Sequence, residues 1–310
     1  MHLLIPFASS DAAGCAETAQ SLRLPHLEAL LQRLVPVDSD NAPASSLSPP
    51  HERALARLCG MAAADGCIAW AAREAQHNRL DPTDAAWAWI APAHWNVGAH
   101  HIDMTDPLAL GLDEAQSRVL LAAMAPYFAE DGITLEYAAP DRWLAHGEVF
   151  RALPSAALDR VVGRDIQAWM PLVPALRRLQ NEMQMLLYTH PANDARSARG
   201  QTSVNSFWVS GTGAMPAAGA SVAAPAVTEI RSLRDAALHG DWAAWSRSWV
   251  AVDAQACQEL LGRLGREPDS RLILCGERNA LSFGAGHGNP WRRLRRRWTR
   301  PRLQALQDQL

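Results

Sequence analysis

HPANDARSARGQTSVNSFWVSGTG, residues 190–213, joins a long apolar-striped segment to a short apolar run that ends in two glycines. Before it, Trp169, Leu172, Val173, Leu176, Leu179, Met183, Leu186 and Leu187 recur at helical spacing. They predict a helix over 165–188, with Pro171 tolerated near its start and Pro174 kinking it. After it, residues 203–210 predict a strand that stops at Gly211-Thr212-Gly213. A helix delivered into a strand through a polar turn is the unit from which mixed α/β folds are built.

The same alternation extends outward. Residues 2–8 form a short apolar run that reads as a buried strand, and Leu24, Leu27, Leu30, Leu31 and Leu34 place a helix over 24–35. A polar, proline-rich connection follows at 38–50, and then an alanine-rich stretch, 52–75, helical in two pieces broken near Asp65-Gly66. In DAAWAWIAPAHWNV (84–97), Trp87, Trp89, Ala91 and Ala93 alternate with period two, which predicts a strand interrupted at Pro92. Asp113 caps an expected helix over 113–129 whose Leu120, Met124, Tyr127 and Phe128 share a face, and 133–137 follows as a strand. Residues 214–227 are a low-complexity connection. A tryptophan-rich segment (Trp242, Trp245, Trp249), a helix over 253–264 and a strand over 271–275 complete the series. The expected fold is α/β. A central mixed sheet flanked by helices comes from the two ends of the chain, 1–84 and 214–310, and a smaller α/β subdomain, 85–213, is inserted in it.

Composition narrows the function classes. With 310 residues and 48% hydrophobic content the chain can bury a sizeable core, and a formal charge of −3 gives no global attraction to nucleic acid or a membrane surface. All 29 basic side chains are arginine, which excludes a catalytic or phosphate-binding lysine. The cysteines Cys15, Cys59, Cys67, Cys257 and Cys275 form no CxxC pair, so a reducing cytoplasm is the expected compartment. Ala12-Ala13-Gly14-Cys15 looks like a lipoprotein cleavage site, but the apolar run before it is too short for a signal segment. No run of apolar residues is long enough to span a membrane. Of the twelve tryptophans, Trp70, Trp87, Trp89 and Trp95 read as core.

Residues 190–213 are also the densest polar patch. Asn193, Arg196 and Arg199 gather amide and guanidinium donors in one turn, and Arg forks suit phosphate or carboxylate oxygens. Asn205, Ser206 and Trp208 then lead into Gly211 and Gly213, where backbone can approach closely. These eight residues form the candidate pocket for a small anion. The competing reading is a structured loop of asparagine caps and glycine turns. His94, His100, His101 and Asp103 cluster closely enough to bear on zinc or manganese, yet on an extended strand His100 and His101 point to opposite faces, so no metal site is expected there. Ser206 and Ser210 lack the GxSxG setting of a hydrolase nucleophile. WRRLRRRWTRPR (291–302) carries seven arginines, and nucleic acid would bind, if at all, through this tail; a solvated terminal helix is the plainer reading.

Asn193 with Arg196 and Gly200, then Asn205 and Gly211-x-Gly213, resembles a segment of the archaeal-type cofactor-independent phosphoglycerate mutases, and 89–96, 103–106 and the helix from Asp113 resemble the opening of the same inserted domain. Leu24-Pro25-His26-Leu27, PHERALA (50–56), 180–191 and 205–213 resemble bacterial regulatory proteins of the RpfE type. The first resemblance implies an alkaline-phosphatase-like catalytic domain whose two metal ions polarise a phosphoryl group and activate a Ser or Thr nucleophile. That family has an acidic, glycine-containing motif after its first strand, and Gly-Asp-His after a late one. Here the corresponding stretches are Pro6-Phe7-Ala8-Ser9-Ser10-Asp11 and Cys275-Gly276-Glu277-Arg278. A metal-ligand position thus holds Arg278, whose guanidinium cannot donate to a metal. The resemblance therefore implies a degenerate member without cofactor: a non-catalytic regulatory or ligand-sensing protein with a pocket for a phosphorylated metabolite, and with a regulatory protein as partner. The alternative is an active mutase or phosphoesterase using manganese or zinc, which requires Asp11, Asp253, Glu277 and the histidines to converge.

Overall fold

Two apolar runs from opposite ends of the sequence, HLLI at 2–5 and RLILC at 271–275, lie side by side as parallel strands. Their near-continuous hydrophobicity is what a strand covered on both faces requires. The computed structural model describes residues 1–80, 84–215, 225–285 and 302–310. They fall into two units, one formed by 1–45, 49–60 and 222–310 and the other by 46–48 and 61–221. Residues 61–84, assigned from sequence to the first, lie with the second.

Along the chain, β1 (His2–Ile5), α1 (Ala13–Ser21), α2 (Pro25–Arg33), β2 (Val35–Asp40) and α3 (Pro50–Leu58) open the first unit. The second unit contributes α4 (Trp70–His77), β3 (Ala86–Ala93), β4 (Trp95–Val97), β5 (Ile102–Met104), α5 (Glu114–Glu130), β6 (Thr134–Ala139) and β7 (Arg142–His146). It continues with α6 (Leu158–Val161), α7 (Pro174–Tyr188), α8 (Pro191–Ser197) and β8 (Ser206–Ala214). The chain returns to the first unit with β9 (Val227–Glu229), α9 (Arg234–Leu238), α10 (Trp242–Val252), α11 (Gln258–Arg263), β10 (Arg271–Cys275) and β11 (Ala280–Gly284).

The first unit has a mixed sheet ordered β2-β11-β10-β1-β9, in which β1 is parallel to β9 and β10 while β11 and β2 run antiparallel. Side chains alternate across it. Leu3, Ile5, Leu272 and Leu274 face a core shared with Leu27, Leu30, Trp245 and Trp249, whereas Leu4, Ile273 and Cys275 pack against Ala54. The sheet is therefore flanked by helices on both faces, as expected.

The second unit is built on an antiparallel sheet ordered β6-β7-β3-β8. One face packs Ile90, Trp143, Phe207 and Val209 against Leu120, Met124 and Phe128 of α5 and Leu176, Leu179 and Met183 of α7. Asp113 caps α5 as anticipated, its carboxylate accepting the Gln116 N–H at 2.7 Å. Trp70, Trp87 and Trp95 are buried, and Trp89 donates its indole N–H to Glu74 at 2.7 Å.

Three local expectations change. The helix expected over 165–188 begins only at Pro174, which takes the first helical position and so loses no hydrogen bond instead of kinking an interior. Pro92 does not interrupt β3, because pairing with β7 ends at Ile90 and beyond it β3 has β8 alone as neighbour. A proline without an N–H is tolerated where a strand has become an edge. Finally, β8 runs through Gly211-Thr212-Gly213 instead of stopping there. Trp87 pairs with Gly213 and Trp89 with Ser210, so β8 carries one extra residue.

Asp65 ties 46–48 into the second unit, accepting hydrogen bonds from Ser46 Oγ at 2.9 Å, Leu47 N–H at 2.8 Å and Ser48 N–H at 2.9 Å. Burial by itself raises this carboxyl's pKa, but the hydrogen bonds outweigh it and hold the pKa below its ordinary value. A depressed folded pKa contributes stability above the unfolded pKa that is lost as pH falls through the folded one. Urea midpoints of the wild type should accordingly fall as pH drops below about 4. D65N should be less stable at neutral pH, with the gap closing in acid; a pH-independent gap would exclude this linkage.

Candidate functional site

Most polar groups of the patch around residues 190–213 are bonded to the protein itself, and the buried Ser206 hydroxyl is left without a partner. α8 starts at Pro191, with the His190 ring accepting the Ala192 N–H at 3.2 Å. Asn193, buried, donates to the carbonyls of Leu187 and Val204, both at 2.7 Å, and accepts the Val204 N–H at 2.9 Å. Arg196, 1% exposed, donates to Thr202 O at 2.8 Å, Gln116 Oε1 at 2.7 Å and Leu110 O at 2.6 Å. Burial lowers the pKa of this guanidinium, and the Asp113 carboxylate partly offsets the effect. Asn205 brackets Trp95 by accepting its N–H at 2.8 Å and donating to its carbonyl at 2.9 Å. Trp208 is buried and donates to Ala156 O at 2.8 Å, and Ser206 is fully buried.

The two glycines serve packing. Gly211 has φ +63° with the Trp89 ring 2.7 Å from where a Cβ would sit, and Gly213 has φ +138° with Ala69 2.9 Å away. The structure brings the predicted residues into one neighbourhood, but as a loop clamp. Arg199 alone stands exposed. Asn193, Arg196 and Asn205, three of the residues expected to line an anion pocket, are engaged with protein carbonyls and amides: at the sequence level nothing distinguishes an arginine aimed at a ligand from one aimed at Leu110 O.

The histidine cluster lies on the β4–β5 hairpin. The ring of His94 meets Ser203 O at 2.8 Å and Asn96 Oδ1 at 3.0 Å, and His101 pairs with Asp103 at 3.3 Å on an exposed surface. His100 is exposed. Among the described residues no group of three His, Cys, Asp or Glu is placed to hold a metal ion. The arginine-rich stretch up to residue 301 lies outside the described residues.

A different site forms at the carboxyl ends of β1 and β10. In open α/β sheets ligands bind beyond the carboxyl ends of parallel strands. Directly after β1 the backbone turns sharply at Phe7, whose φ of 55° is strained for a bulky residue and costs about 1–3 kcal/mol. The turn is held by Trp245, whose indole N–H donates to Phe7 O at 2.9 Å, and by the Ala8 N–H on Cys275 O at 2.7 Å. It aims Ser9, Ser10 and Asp11 over the strand ends. After β10, residues 276–279 make a tight turn closed by the Gly276 N–H on Asn279 O at 2.9 Å.

The two loops then lock together. Ser10 Oγ donates to Glu277 Oε1 at 2.5 Å, and Arg278 meets Asp11 at 3.1 Å. Beside them Asp40 accepts Arg53 at 3.1 Å and Arg57 at 2.7 Å, and Arg53 also donates to Arg278 O at 2.7 Å. An open pocket of about 320 Å³ is lined by Ser10, Asp11, Arg278, Asn279, Gln307 and Asp308, together with three alanines of the α1 region and Leu310. Nearby thiols are inert by position. Burial pushes up the pKa of Cys15 and of Cys275, and that of Cys257 to about 12.

The two stretches in which the sequence departs from the mutase pattern are thus one place in space, although 267 residues separate Ser10 from Glu277. Asp253, the third carboxylate considered, is elsewhere: it accepts the Leu27 N–H at 2.7 Å and the His26 ring N–H at 2.9 Å, capping α2. The residues present do not fit a divalent metal centre. Asp11 faces a guanidinium and Glu277 is bound to a hydroxyl, Asp308 of the pocket wall forms no group of three metal-ligating side chains with them among the described residues, and Arg278 would repel a cation.

Fold and site define a mixed α/β protein with a polar cleft at its strand ends. No family model matches the chain, and no curated protein matches it significantly. Among solved structures it is similar to a cofactor-independent phosphoglycerate mutase from Thermoplasma acidophilum DSM 1728, at 12% identity over 93% of this chain and 90% of that one, with a TM-score of 0.36. It is also similar to the PH0037 protein from Pyrococcus horikoshii, at 10% identity over 92% of this chain and 87% of that one, with a TM-score of 0.44.

Proposed function

We propose that the chain is a non-catalytic, ligand-sensing regulatory protein whose ligand site is the pocket at the carboxyl ends of β1 and β10. The observation that carries this reading is the pairing of Asp11 with Arg278 at 3.1 Å, in the place where catalytic carboxylates would have to stand free. Among the described residues the pocket wall holds one cation, Arg278, against the carboxylates of Asp11 and Asp308, with Ser10, Asn279 and Gln307 as neutral hydrogen-bonding groups. That balance favours a small polar metabolite bearing hydroxyl or amino groups over the phosphorylated compound expected from sequence. Among the described lining residues positive charge does not exceed negative, so they leave a phosphate unneutralised.

A coupled assay for conversion of 3-phosphoglycerate to 2-phosphoglycerate, with manganese supplied, should give no turnover above a chelated control. Metal-dependent turnover lost in D11N would overturn the proposal and restore the enzymatic reading. A thermal-shift screen should then find stabilisers among polyols and amino compounds sooner than among sugar phosphates, with the shift abolished in R278A. Because Asp11 and Arg278 are both partly exposed, R278A itself should cost less than about 1 kcal/mol, so a lost shift reports binding and not unfolding.

A further inference from the structure

We infer that residues 302–310 are a strap that docks beside the strand-end site and undocks without the sheet beneath it, which makes assembly of the pocket a regulated step. This deepens the proposed function, since it rests on the strand ends being the ligand site.

Three observations carry it. First, the strap sits on the turn that builds the site: the Asn279 N–H donates to Leu310 O at 3.1 Å, and a Cβ at position 276 would collide with the Leu310 carbonyl. Glycine at 276 is therefore what lets the strap close, and it adopts no left-handed conformation that would otherwise demand glycine. Second, the strap supplies part of the pocket wall through Gln307 and Asp308, so the pocket as described exists only with the strap in place.

Third, the attachment is of a kind that releases as a piece. Leu303–Gln309 is a seven-residue 3₁₀ helix, a conformation that is rarely sustained beyond three or four residues because its hydrogen bonds are poorly aligned. Among the described residues three leucines anchor it, Leu303 and Leu310, 3% and 5% exposed, and the partly buried Leu306, along with a loose 3.7 Å contact between Arg302 and Glu28. Elements with few anchors open sub-globally before the core does. β1 and β10, by contrast, are joined by a backbone ladder and packed against Leu27, Leu30, Trp245 and Trp249 on one face and Ala54 on the other, all outside the strap.

Hydrogen exchange followed by mass spectrometry on the full chain tests this without any ligand, so its failure is separable from failure of the ligand screen. In G276A, and independently in L303A, amides of 302–310 and of Asn279 should exchange about tenfold faster or more, while those of β1 and β10 keep wild-type protection. Unchanged exchange of 302–310 in G276A would mean that the segment is not seated on Gly276. Exchange of β1 and β10 rising in step with 302–310 in both variants would mean that the segment is an inseparable part of the core. Either result overturns the strap.

Discussion

Arg196→Ala should lower the stability of the second unit by about 3–4 kcal/mol, since it removes three hydrogen bonds of a buried guanidinium, the one to Leu110 O fully buried, and leaves carbonyls without partners. The guanidinium bonds Leu110 O, Gln116 Oε1 and Thr202 O at once, joining the loop before α5, the first turn of α5 and the loop before β8. Each carbonyl stranded in the resulting hole carries a desolvation cost of about 1–3 kcal/mol. Thermal unfolding should show the drop as a midpoint lowered by roughly 10 °C. Arg196→Lys should recover less than half of it, because an ammonium cannot span three acceptors with one planar fork. An arginine kept for an external anion predicts the reverse: an unchanged midpoint and a lost ligand response. An R196A midpoint within about 2 °C of wild type would therefore return the 190–213 patch to the list of ligand sites.

Asp253→Ala should cost the first unit about 3 kcal/mol, the sum of a lost helix cap and a lost buried charge-assisted bond. α2 has Leu24 at its cap position and Pro25 at its first, so it has no side chain of its own to satisfy its leading amides. Asp253 supplies the cap from the turn between α10 and α11, accepting the His26 and Leu27 N–H groups at 3.3 and 2.7 Å while also holding the His26 ring. That turn is wound wider, as a π-helical stretch over Asp253–Cys257, within the run from α10 to α11. Asp253→Asn keeps one acceptor oxygen and should retain about half of the stability. Equilibrium urea unfolding measures both, and a loss below about 0.5 kcal/mol for the alanine variant would exclude the capping role.

These two residues show where sequence reading reached and where it stopped. Asn193, Arg196 and Asn205 were correctly singled out as a dense set of donors, but a donor carries no label for its acceptor. Arg196 finds Leu110 O across 86 residues of chain, a pairing that spacing cannot anticipate. Asp253 was weighed as a metal carboxylate because composition shows its charge and not the two amides of α2 that it faces. The strand-end site was legible only in halves: Asp11, Glu277 and Arg278 were named from two separate stretches, and folding made them one.

What the sequence determined by itself is whatever depends on near neighbours. Short apolar runs placed β1 and β10, period two placed β3, and helical spacing placed α2 and α5; Asp113 marked the start of α5 through a bond to Gln116, three residues away; and the apolar character of 2–5 and 271–275 required both faces of those strands to be covered. What only the tertiary structure decided is whatever depends on partners far along the chain. It set the edge position that lets β3 keep Pro92, the extra residue that makes glycines of β8 a packing device, the pairing of Asp11 with Arg278, and the seat of 302–310 on Gly276. The physical reason is the same in each case. Local structure follows from hydrogen bonds and side-chain faces within a few residues, whereas the state of a polar group in a site is set by whichever atoms the folded chain brings within about 3 Å of it.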